Sequence, residues 1–104
     1  MAESIRVLYK QPGMPAVPKI IENTLEASQQ LVGGFIEVHN LKRPFCLVCN
    51  EEGRLQDLPP NVYIEGVGWI VGPIFIAKSP DEDFTTMTME DIRTVTDWMK
   101  AAFA

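Results

Sequence analysis

The run Phe45-Cys46-Leu47-Val48-Cys49, closed by Asn50-Glu51-Glu52-Gly53, constrains the fold of this chain more than any other stretch. Five successive apolar residues cannot alternate between a core face and water, so the strand they form is predicted to be central in a sheet. Its end is equally marked. Asn favours a side-chain bond to its own backbone two residues on, and Gly supplies a positive dihedral. Ahead of it, Phe35-Ile36-Glu37-Val38-His39 alternates, with Phe35, Glu37 and His39 on one face and Ile36 and Val38 on the other. The polar link Asn40 to Pro44 fits a hairpin connection, so the two runs are expected to pair antiparallel.

The same reasoning extends to both ends. Ile5 to Tyr9 is rich in strand formers and stops at Gln11-Pro12-Gly13, a turn in which proline presets one dihedral and glycine permits the other. Ala16 to Glu22 reads as an edge strand, because Pro15 and Pro18 have no N–H for a central ladder. Asn23 with Glu26 suggests a capping box, opening a helix whose apolar face carries Leu25, Ser28, Leu31 and Val32 and which stops at Gly33-Gly34. Arg54 and Leu55 suggest a short return strand, and Leu58-Pro59-Pro60-Asn61 a stiff connection outside any ladder. Trp69 to Ala77 is the longest apolar run and is expected to be one buried strand kinked at Gly72-Pro73. An acidic loop, Ser79 to Asp83, precedes a helix opened by Thr88 and Asp91, with Ile92, Val95, Trp98, Met99 and Phe103 on one stripe. The expected architecture is a single α+β domain with a mostly antiparallel, mixed sheet of about five strands and two helices.

Composition removes several functions. At 104 residues with 46% hydrophobic content, the chain suffices for one core. Nine Lys and Arg against 14 Asp and Glu, a net charge of -5, argue against a direct grip on nucleic-acid phosphates. No apolar run approaches the ~20 residues of a membrane span, and the first 25 residues do not read as a secretory signal, so a cytoplasmic protein is expected.

Cys46 and Cys49 match CxxC, yet at i and i+3 of a strand they face opposite sides. Without a second pair, and with His39 the sole imidazole, neither a metal site nor a cofactor is expected. Gly66-Val67-Gly68-Trp69 resembles a dinucleotide loop only superficially, since an apolar strand follows where a helix should begin. Glycines beside an aromatic can nevertheless open part of a ligand pocket. The candidate ligand-binding residues are therefore Asn50, Glu51, Glu52, Gly66, Gly68 and Trp69, and no residue is assigned a catalytic role.

Four motifs occur in order: Glu22-Asn23-Thr24-Leu25-Glu26 leading to Val32-Gly33-Gly34-Phe35-Ile36-Glu37, then Cys49-Asn50-Glu51-Glu52-Gly53, Leu58-Pro59-Pro60-Asn61 and Ile70-Val71-Gly72-Pro73. From about residue 5 to about residue 95 the chain resembles a family of small uncharacterised domains of bacteria, phages and mobile elements. That resemblance carries no established activity. It implies a cytosolic accessory protein of phage or mobile-element type that acts by binding.

The expected function is thus a non-enzymatic binding module, contacting a protein or a small ligand and acting as a homo-oligomer. Two rivals remain open at this stage. One is a small enzyme with an intersubunit site built from His39, Glu51 and Glu52. The other is an acidic nucleic-acid mimic in which Asp81, Glu82 and Asp83 meet a basic host protein.

Overall fold

The computed structural model describes residues 3–102, with side chains through Met99, and the expected contribution of Phe103 lies outside the described residues. The strands are β1 (Ser4–Lys10), β2 (Val17–Glu22), β3 (Ile36–Asn40), β4 (Phe45–Asn50), β5 (Pro60–Ile64), β6 (Gly68–Val71) and β7 (Ile74–Lys78). Helix α1 (Leu25–Val32) follows β2, and α2 (Met89–Ala102) closes the described chain. Five strands form an antiparallel sheet in the order β2-β1-β7-β4-β3, and β5 and β6 form a second, two-stranded sheet. The fold is α+β, as the sequence implies.

The apolar strands occupy the interior because only there are both faces covered. β7 is central and β4 lies beside it, and Leu47, Val48, Phe75, Ile76 and Ala77 are all fully buried. Each fully buried large apolar side chain contributes about 1.5–3 kcal/mol. On one face, Cys46, Val48 and Phe75 meet Val32 of α1. On the other, Leu47, Cys49 and Ile76 meet Val62 and Ile70 of the small sheet and Ile92, Val95 and Met99 of α2. Cys46 and Cys49 therefore belong to separate cores on opposite sides of the sheet, and both are free thiols.

Several local expectations are corrected. The α1 cap is Thr24, whose hydroxyl accepts from Ala27 N at 3.1 Å; Asn23 instead donates to the Phe84 carbonyl at 2.9 Å. Leu25 is exposed, and Ser28 and Val32 are the buried residues of that helix. Arg54 and Leu55 form no strand, because residues 51–57 coil through successive turns that leave Leu55 at 85% exposure. Gly53 does not take a positive φ; it is small because an added β-carbon would lie 2.7 Å from Val71 Cγ2.

The run from Trp69 to Ala77 is two strands in two sheets. Gly72, at φ +79°, turns the chain out of β6, and Pro73 separates it from β7. Pro60 does enter a ladder, opposite Val71, at a register irregularity before Val62. The corner is held by Asn61, which donates to the carbonyls of Lys10 at 2.9 Å and Gly72 at 2.8 Å and accepts from Lys10 Nζ at 2.6 Å. Proline is tolerated in β5 because a two-stranded sheet is all edge.

Candidate functional site

β3 pairs with β4 so that Glu37 stands directly opposite Cys49 and His39 opposite Leu47. Directly opposed residues share a face, and so do residues two apart along a strand. Glu37, His39 and Cys49 therefore lie side by side on the face that the small sheet covers. The cover is incomplete: between this floor and β6 lies a cleft of about 300 Å³. Trp69 and Val71 of β6, with Val67 in the turn before it, form one wall, and the turn residues Glu51, Arg54 and Leu55 close one end.

The floor is polar. Glu37 Oε2 lies 3.7 Å from His39 Nε2 and 3.9 Å from Cys49 Sγ, the thiol donating to the carboxylate. Burial, then the Glu37 charge, then the hydrogen bond to it push the Cys49 thiol up to about 11. At neutral pH it is a protonated donor, whereas a nucleophilic cysteine requires a lowered pKa. The proximity of His39 to Cys49 thus does not amount to an activated thiolate–imidazole pair.

The wall is rigidly presented. Trp69 and Tyr63 are cross-strand partners, their rings meeting edge to face at 5.6 Å. An edge-to-face aromatic pair contributes about 0.5–1.5 kcal/mol beyond its buried area. Arg54 donates to the Trp69 carbonyl at 3.0 Å, tying the turn after β4 to β6. The indole is 55% exposed, a large apolar surface left beside a polar floor.

Of the residues singled out from the sequence, Asn50, Glu51 and Trp69 border this cleft, while Glu52, Gly66 and Gly68 do not. Asn50 is structural. Its buried amide donates to the Val32 carbonyl and to Gln56 Oε1, each at 3.3 Å, and its Oδ1 accepts from Glu52 N at 2.8 Å, the expected turn bond. Gly66 lies in the link between β5 and β6 at φ +87°, and Gly68 opens β6 at φ +105° with Arg54 behind it. Sequence reasoning omitted Glu37, His39, Cys49, Arg54 and Leu55 from the ligand-binding set. The alternation that placed Glu37 and His39 on one face, combined with the predicted β3–β4 hairpin, contained the signal. Of the three residues of the intersubunit enzyme rival, His39 and Glu51 border one cleft within a single chain and Glu52 does not.

Among the described residues no helix is long and apolar enough to cross a membrane. No curated protein and no solved structure matches the chain. Residues 5–100 match the model of a domain of unknown function, DUF3846. That span takes in every strand after the first residue of β1, all of α1, α2 up to residue 100 and all the cleft residues, and the chain belongs to the DUF3846 family.

Proposed function

We propose that this domain is a small-ligand-binding module whose site is the cleft between the β3–β4 floor and β6. The observation that carries the reading is the juxtaposition of a half-exposed indole with a floor of carboxylate, imidazole and thiol inside about 300 Å³. That volume is at the lower end for small-molecule sites, which combine an apolar wall with a few convergent polar groups. The ligand class that fits is a small polar molecule with one flat or apolar portion. The flat portion stacks on Trp69, while Glu37, His39 and Cys49 meet the polar end and Arg54 and Glu51 stand at the rim. An accessory role of phage or mobile-element type belongs to the same reading and rests on the motif resemblance alone.

A fragment library screened against the isotope-labelled domain by amide chemical-shift mapping tests the site. Binding fragments should move the amides of Glu37, Cys49, Arg54 and residues 67–71 together. Fragments that perturb only the separate groove beside Tyr9, Met14 and Val17, or a library without any binder, would remove the proposal.

A further inference from the structure

We propose that Glu37, His39 and Cys49 bind a divalent transition metal ion of the zinc class at the floor of the cleft, leaving a fourth coordination position open toward the cavity. The donor atoms of the three side chains all lie within 4.8 Å of one another. A tetrahedral zinc site with bonds of about 2.0–2.1 Å to N and O and about 2.3 Å to S places its donors about 3.3–3.6 Å apart. The carboxylate oxygen already sits at 3.7 Å from the imidazole nitrogen and 3.9 Å from the sulfur. The remaining side of the triangle, between His39 and Cys49, is at most 4.8 Å, and rotation of the part-exposed His39 side chain is the movement that closes it.

The identity of the residues points the same way. Opposite the buried Cys49, the edge strand β3 presents an exposed position that is open to a polar side chain. Here it is a glutamate. Together with Cys49 and His39 it completes a donor set of one sulfur, one nitrogen and one oxygen. Thiolate with imidazole selects zinc, cobalt and related ions over magnesium and calcium, which require oxygen ligands. Binding replaces the Cys49 proton by the ion, and that proton leaves to solvent through the open side of the cleft. Three protein ligands with an open fourth place are the pattern of sites where the ion contacts a ligand, and the open place faces the space that Trp69 and Arg54 border. Sequence spacing disfavoured metal on the ground that Cys46 and Cys49 diverge; they do, and the other two donors come from β3 instead.

The test is titration of the reduced, metal-free full chain with Co²⁺, followed by absorption and then by displacement with Zn²⁺. It uses the ion alone, so its failure leaves the organic-ligand reading of the cleft standing. One equivalent of Co²⁺ should produce thiolate-to-cobalt charge transfer and the visible bands of a four-coordinate ion. Cys49→Ser should abolish the charge transfer, and Glu37→Gln and His39→Ala should each weaken binding by about tenfold or more. Cys46→Ser, on the opposite face, should change neither. Glu37→Gln lies on an edge strand and keeps the fold, so a loss of cobalt affinity there reports the site and not unfolding. Absence of saturable uptake, charge transfer that survives Cys49→Ser, or affinity unchanged by Glu37→Gln and His39→Ala would overturn the proposal.

Discussion

At Gly72 the backbone turns through φ +79°, and a β-carbon added there would lie 2.6 Å from Leu58 Cδ1. At Gly66 the backbone is also left-handed, φ +87°, but among the described residues no atom beyond its chain neighbours lies within 4 Å of the added carbon. The two glycines separate dihedral strain from steric exclusion. A left-handed alanine costs about 1–2 kcal/mol, and overpacking adds typically 1–3 kcal/mol more. Gly66→Ala should therefore lower stability by about 1 kcal/mol and Gly72→Ala by about 3 kcal/mol in urea denaturation. Equal losses would show that the Leu58 contact is relieved at no cost. The sequence marks Gly72-Pro73 as a break in an apolar run, but not how large a break. A bulge within one strand and a corner between two sheets present the same two residues, and the distinction rests on Asn61 joining Lys10 to Gly72 across long sequence separations.

At the scale of elements, α2 illustrates what local patterning does specify. Thr88 N donates to Asp91 Oδ2 at 2.9 Å and Asp91 N to Thr88 Oγ1 at 3.0 Å, a complete reciprocal cap. Lys78 of β7 adds a third donor at 3.0 Å, fastening the helix start to the central strand. Burial pushes the Asp91 carboxyl up, but the Thr88 backbone N–H, the Lys78 side chain and the Thr88 hydroxyl together outweigh it and hold it below its ordinary 3.8. A carboxyl depressed in the folded state stabilises above its unfolded pKa and loses that contribution as pH falls through the folded value. Asp91→Asn should accordingly cost about 1 kcal/mol near neutrality, and the difference from wild type should shrink below about pH 4. A difference independent of pH would show that the loss comes from packing. The α1 cap was misplaced by one residue because Asn23 and Thr24 are both capping residues, and tertiary contact with Phe84 and Glu3 engages Asn23 elsewhere. β5 was missed because Pro60 argues against a strand, and the cost it carries in a central ladder vanishes at the edge of a two-stranded sheet.

For the whole molecule, the β4 run correctly implied a sheet covered on both faces, and the α+β class was legible from periodicity alone. What covers each face was not. The small sheet exists only because the chain leaves β6 at Gly72, and its incomplete contact with β3 and β4 is what opens the cleft. The candidate site was legible in parts, with Trp69 on one side of the gap, Glu51 at its end and the shared face of Glu37 and His39 on the other. Only the stacking of one sheet on the other joins them. The central claim, that this gap holds a small ligand, is tested most directly by native mass spectrometry of the full chain purified under non-denaturing conditions from the cells that normally make it, with Trp69→Ala prepared alongside. The account predicts a discrete added mass on the wild-type chain that is lost or strongly reduced in Trp69→Ala; a bare wild-type chain, or the same adduct on both proteins, would contradict it.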